Sequence, residues 1–182
     1  GLDEPTLEAA IKGQNRYLTV PEIFMYSSNI GSARMAIDAG TQRQRDFLGK
    51  LGILSQAQIE LQEVAAPMIP RPWREINTMT VAFGHGSSVS PLQLVVGGAA
   101  VVNGGYLRPA TLVKRPEGEA APGQRVIQAR TSEQLRMLLR LVVEKGTGKA
   151  ANVAGYWGGG KPGTAEKIVN GGYKKNARIS SF

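Results

Sequence analysis

The stretch GYWGGGKPGT, residues 155–164, supports two incompatible readings, and the fold turns on which one holds. From Gly155 to Lys161 it has the phosphate-loop spacing G-x-x-x-x-G-K. From Lys161 onward it is Lys-Pro-Gly-Thr, a cation and a hydroxyl separated by a proline and a glycine. A phosphate loop needs a strand before it, a long helix after it, and Ser or Thr directly after the lysine to hold magnesium. Here that residue is Pro162. The next residues, TAEKIVNGGY, carry an Asn-Gly pair between short extended runs, which predicts a hairpin. Lys161 is therefore expected at the start of one strand of an antiparallel hairpin. Another imitation of the motif, Gly146-Thr147-Gly148-Lys149, comes after a predicted helix instead of a strand. Context argues against a nucleotide site at both places.

Composition narrows the chemistry. The chain has 182 residues, 42% hydrophobic and 20% charged, enough for one domain with a core. There is no cysteine, so disulfides, thiol catalysis and thiolate metal sites are excluded. With His85 as the only histidine, a zinc site is not expected, and His85 reads as a turn residue between Gly84 and Gly86. No metal and no cofactor is expected. The net charge is +8, but the basic residues are scattered, without the aromatic interleaving of a nucleic-acid platform. No nucleic-acid partner is expected. The longest nearly apolar run, LQLVVGGAAVV at 92–102, is too short to span a bilayer.

Helix signals fill most of the chain before the hairpin. Thr19-Val20-Pro21-Glu22 has the form of a capping box and predicts a short helix that stops near Ser27-Ser28-Asn29. A second helix is expected from about Ile30 to Ala39, with Ile30, Ala33 and Ile37 on one face and Gly40 as its stop. Thr41 is the expected cap of a third, with Phe47, Leu48 and Leu51 turned inward. Residues 53–75, with Pro67, Pro70 and Pro72, read as a long surface connection. Ser90-Pro91 opens a helix of small residues ending at Gly104-Gly105, expected to be buried on most sides. Thr131 or Ser132 is the expected cap of the clearest amphipathic helix, where Leu135, Leu138, Leu139, Val142 and Val143 repeat at helical spacing before Gly146.

Order and setting link two of these places. Ser27-Ser28-Asn29 lies between two helices, and Lys161-Pro162-Gly163-Thr164 leads into a hairpin. Serine enzymes that recognise penicillin carry three boxes, S-x-x-K, S-x-N and K-[TS]-G, in that order. Ser27-Ser28-Asn29 supplies the second, and Lys161-Pro162-Gly163-Thr164 the third, with proline at the middle position of the box. Together with YSSNIGSARMA, GHGSSVSPLQL, GTGKAANVAGYWGGGKPGTAEK and GGYKKNARISSF, the chain over residues 14–182 resembles class B penicillin-binding proteins. More narrowly it resembles their division-specific peptidoglycan transpeptidases. The resemblance implies an α+β fold of the serine β-lactamase and D,D-peptidase kind: an antiparallel sheet flanked by helices, with an all-helical subdomain, incomplete here.

The resemblance also implies roles. The family reaction is acyl transfer from a D-Ala-D-Ala stem peptide, with penicillins acylating the same serine. Ser27 would relay a proton near the nucleophile, and Asn29 would hold the substrate backbone and the nearby lysine. Lys161 would shape the field of the cleft and attract the substrate carboxylate. Thr164 would touch that carboxylate and supply an oxyanion N–H, while Gly163 and Ser28 would contact substrate. Ser27 and Ser28 would serve equally as helix caps. Pro162 departs from the family's Thr or Ser and removes a hydroxyl near the carboxylate.

The implied partners are peptidoglycan stem peptides, β-lactams and cell-division membrane proteins. The implied location is the periplasmic face of the bacterial inner membrane, with a membrane anchor outside this chain. No serine here has lysine three residues on, and Thr111-Leu112-Val113-Lys114 imitates the spacing in the wrong order. Residues 1–182 therefore read as a partial transpeptidase domain, lacking the upstream nucleophile segment and a C-terminal strand and helix. Alternatives are a non-catalytic peptidoglycan- or partner-binding relative, a D-Ala-D-Ala carboxypeptidase, or a serine β-lactamase.

Overall fold

The computed structural model describes residues 17–119, 121–169 and 172–182, and only the backbone of 166–169 and 172–176. Helices dominate, and two separate antiparallel strand pairs complete a mixed α+β architecture. The chain divides into two compact units, one of Gly1–Ser32 with Met137–Phe182 and the other of Ala33–Arg136.

In the first unit, helix α1 runs Val20–Tyr26, with Pro21 in its first turn. The Glu22 carboxylate accepts from the Thr19 N–H at 2.9 Å and from its hydroxyl at 2.8 Å, so the predicted box closes from the glutamate side. Ile23 is the buried residue of α1, and a Cβ on Gly31 would stand 2.7 Å from its side chain. Gly31 belongs to α2, Asn29–Ala39, and this close approach replaces the expected Ile30–Ala33–Ile37 stripe, whose members are all half-buried.

Helix α6, Ala129–Lys145, carries Val142 and Val143 at 0% and 1% exposure. Beyond it, a 3-10 turn at Lys149–Ala151 precedes the hairpin of β3, Gly163–Val169, and β4, Gly172–Ser181. The register pairs Gly163 with Ser181, Thr164 with Ser180 and Val169 with Gly172, and breaks between Glu166 and Ile168. Asn170 and Gly171, the predicted turn pair, lie outside the described residues.

The second unit holds α3 (Thr41–Lys50), α4 (Glu75–Ala82), α5 (Pro91–Val102) and the short antiparallel pair β1 (Tyr106–Leu107) and β2 (Gln124–Arg125). It is mainly helical, with that pair as its strands among the described residues. Its core cluster is Leu51, Ala100 and Ile127, with Ile53, Val101, Leu107 and Val126 against it.

Several local expectations are corrected by the packing. Phe47 points outward at 42% exposure, while Leu51 is buried. Thr41 is the first helical residue, not the cap, and its hydroxyl is 2.9 Å from that of Thr78. The predicted connection at 53–75 ends where the unforeseen helix α4 begins. Helix α5 buries one side only: Gln93, Gly97 and Ala100 face in, while Leu94 and Val95 are 58% and 66% exposed. Ser132 does not cap α6 but sits inside it, fully buried. Its Oγ donates to the Val101 carbonyl at 2.6 Å and accepts from the Gly104 N–H at 3.0 Å. Among the described residues no helix is long and apolar enough to cross a membrane.

Candidate functional site

Helix α1 leaves its axis through Ser27, which has φ 56° and ψ 47°, the only non-glycine residue at positive φ among those described. The Ser27 N–H donates to the Phe24 carbonyl at 3.3 Å and the Ser28 N–H to the Ile23 carbonyl at 3.0 Å. This pair of bonds is the Schellman closure, whose left-handed residue is usually glycine or asparagine. A serine there costs about 1–2 kcal/mol in steric strain. Strain of this kind persists only where surrounding bonds offset it.

One such bond is made by the Oγ. Lys161 donates from Nζ to Ser27 Oγ at 2.5 Å, across 134 residues of sequence. An ammonium just before the hairpin thus meets a hydroxyl at the corner between α1 and α2. Lys161 is half-buried, and burial holds its pKa below the usual lysine value. Among the described residues no carboxylate lies within ion-pair distance of it. A partly desolvated ammonium bound to a neutral hydroxyl retains donor capacity for an anion.

Helix α6 holds both halves of this contact. At its end, the Thr147 N–H donates to the Met25 carbonyl of α1 at 3.2 Å, and a Cβ on Gly146 would collide with that same oxygen. One to two turns earlier, the Leu139 carbonyl accepts from the Gly160 N–H at 3.2 Å, directly before Lys161. Gly159 lies so close that a Cβ would stand 3.1 Å from the Arg140 nitrogen. From Leu139 to Gly146 the helix advances about 10 Å, and that length sets the reach between corner and lysine.

The other predicted residues take distinct places. Ser28 is 3% exposed, and its Oγ accepts from the Gly31 N–H at 2.9 Å, the capping geometry for α2. Asn29 is exposed in the first turn of α2, and its side-chain amide makes no hydrogen bond to Lys161 among the described residues. Gly163 and Thr164 open β3 and are exposed. A Cβ on Gly163 would stand 3.2 Å from Ser181 Oγ, on the paired strand. Pro162 precedes the ladder, so its missing N–H interrupts no pairing. His85 lies at a turn between Gly84 and Gly86, in the second unit.

Sequence reasoning missed two features. The left-handed backbone of Ser27 was hidden because the residue type does not advertise it. The Arg140 side chain, 16% exposed and facing the glycine run, carried only one signal, an acidic partner four residues on.

A strand, not a helix, comes after Lys161, which removes the phosphate-loop reading. The family model described as the penicillin-binding protein transpeptidase domain matches residues 5–182. A probable peptidoglycan D,D-transpeptidase FtsI of Caulobacter vibrioides is 39% identical over 170 residues, covering 91% of this chain and 29% of that protein. The transpeptidase domain of penicillin-binding protein 3 from Burkholderia pseudomallei superposes with a TM-score of 0.81 at 32% identity, over 90% of this chain and 50% of the other. Penicillin-binding protein 3 from Mycobacterium tuberculosis, in complex with ampicillin, gives 0.80 at 28% identity over 89% and 40%. The chain thus spans about three tenths of the length of the curated relative it matches. By the strand after its lysine and by a family match along nearly its whole length, this chain belongs to the penicillin-binding protein transpeptidase domains.

Proposed function

We propose that these residues form the substrate-facing half of a peptidoglycan D,D-transpeptidase, with the nucleophilic serine supplied by residues outside this sequence. The observation that carries the reading is the 2.5 Å contact between Lys161 Nζ and Ser27 Oγ. In the reaction, a serine hydroxyl attacks the penultimate D-alanine carbonyl, D-alanine departs with a proton, and an amine of a second stem peptide takes the acyl group. Lys161 attracts the terminal carboxylate through charge-assisted hydrogen bonds of about 1.5–3 kcal/mol each. Ser27, already bonded to that ammonium, passes the proton to the leaving nitrogen.

Asn29 holds the substrate backbone with its side-chain amide. Thr164 offers its hydroxyl to the carboxylate and its N–H to the developing oxyanion, an interaction worth roughly 10²–10³ in rate. Gly163 lets an extended peptide lie along β3, and Ser28 contributes through the corner it caps. β-Lactams acylate the same serine, in keeping with the ampicillin complex of the mycobacterial relative. Pro162 lacks the hydroxyl of a Thr there, so Pro162→Thr tightens carboxylate or β-lactam binding. The role extends to septal wall synthesis at the periplasmic face of the inner membrane, beside division proteins and with an anchor elsewhere in the longer protein.

The test is covalent labelling with a tagged penicillin, read by mass spectrometry. The longer protein acquires an adduct on a serine upstream of Ser27, and the 182-residue chain alone acquires none. An adduct on the isolated chain overturns the reading. Cross-linked product, rather than merely hydrolysed peptide, separates transpeptidase from carboxypeptidase or β-lactamase.

A further inference from the structure

We propose that Arg140 is a positioning residue, which fixes the Lys161 ammonium by clamping the glycine run Gly158–Gly160 onto α6. The inference rests on the role proposed for Lys161 in substrate binding.

Three consecutive glycines directly precede the lysine. Such a run has no side chains to pack and the widest backbone freedom of any tripeptide. Left to itself, it would not hold the next residue at a hydrogen-bonding distance from Ser27. Contacts from α6 supply the restraint. The Arg140 Nη1 donates to the Gly158 carbonyl at 2.9 Å. Its guanidinium carbon lies 4.6 Å from the ring centroid of Trp157, the residue before the run. Its Nε donates to Glu144 Oε1 at 2.8 Å, which orients the fork from within the same helix.

The backbone completes the clamp. The Gly160 N–H donates to the Leu139 carbonyl, and Gly159 fits against the helix where a Cβ would be tight against Arg140's own nitrogen. One arginine thus engages the residue before the run and its first member, while its neighbour Leu139 holds the last. Trp157 is itself 84% exposed, so the stack does not serve to bury the indole. What remains for the assembly to do is to restrain Gly158–Gly160, and the restrained end is Lys161.

The experiment is competitive acetylation of the chain with acetic anhydride, quantified at each lysine by mass spectrometry. Lys145, exposed at the end of α6, and Lys50 of α3 act as internal standards. At a pH above the ordinary lysine value of 10.5, where all three amines are neutral and the rates report access alone, Lys161 of the unaltered chain reacts more slowly than both. Arg140→Ala raises the rate at Lys161 severalfold relative to Lys145 and Lys50, because the amine leaves its half-buried place. Arg140→Lys, which keeps one donor but not the fork, restores part of the protection. Should Arg140→Ala not fold, Trp157→Leu, at an exposed position, removes the stack and gives a smaller rise in the same direction.

An unchanged ratio at Lys161 in the folded variants, or a rise shared equally by all three lysines, overturns the proposal. Ser27→Ala serves as the reference for the underlying contact. If it too leaves Lys161 unaltered, the Lys161–Ser27 pairing fails. If only the Arg140 and Trp157 variants leave it unaltered, the clamp alone fails.

Discussion

Lys149 and Lys161 stand twelve positions apart, each behind a glycine, and each completes a stretch that imitates a phosphate loop. Their fates differ. Lys149 opens an exposed 3-10 turn just past α6. Lys161 is drawn half into the molecule by a glycine run that lies back along α6, and its ammonium meets Ser27. Letters in common do not give chemistry in common. What distinguishes the second lysine is a strand after it and a helix beside it, which together aim a charge at a hydroxyl.

Removing each charge in turn separates the two lysines most strongly. In a longer protein with the proposed upstream nucleophile, Lys161→Met is expected to lower the penicillin acylation rate on the order of a hundredfold, the scale set by losing one or two charge-assisted bonds. Lys149→Met leaves it unchanged. Equal losses would show that a diffuse positive field, not the placed ammonium, is responsible.

Ser27 sharpens the other side of the contact. Ser27→Ala keeps the left-handed strain and loses the hydroxyl, whereas Ser27→Gly loses both. Acylation falls about tenfold or more in either variant, since neither can bond Lys161. Thermal unfolding separates them, with the glycine variant more stable than the alanine variant by about 1 kcal/mol. If alanine proves as stable as glycine, the strained backbone assigned to Ser27 is wrong.

A smaller effect comes from the lowered pKa of Lys161, caused by burial. Between its folded pKa and the ordinary value of 10.5, the unfolded chain binds more protons than the folded one. Stability therefore gains with rising pH through that window, and below the folded pKa the cost of burying the ammonium is fully present. Lys161→Met removes this contribution. Denaturant midpoints compared across alkaline pH read it out, and identical slopes in both proteins would contradict it.

Much of the site was legible because it is built from local signals. The capping box of α1, the glycine after α2, the proline before β3 and the hairpin pattern each depend on neighbours within a few residues. Illegible were the features whose cause is tertiary. Helix α4 has no apolar stripe to betray it. Its one buried residue is Thr78, which is held by polar bonds: its hydroxyl takes the Trp73 indole N–H and its carbonyl the Gln44 amide. Ser132 resembles a cap in sequence, yet its hydroxyl is used to tie α6 to the end of α5, a contact no periodicity encodes. Phe47 and Leu51 sit one helical turn apart with the same apolar character, and only packing decides that the smaller turns in.

The most direct measurement is a double-mutant cycle on Ser27→Ala and Lys161→Met, read as acylation by a tagged penicillin in the longer protein. A direct contact predicts strong coupling: once Lys161 is gone, losing the Ser27 hydroxyl costs little more, with an interaction free energy of about 1–2 kcal/mol. Two losses that simply add would mean that the hydroxyl and the ammonium act apart, and the two would not share a site.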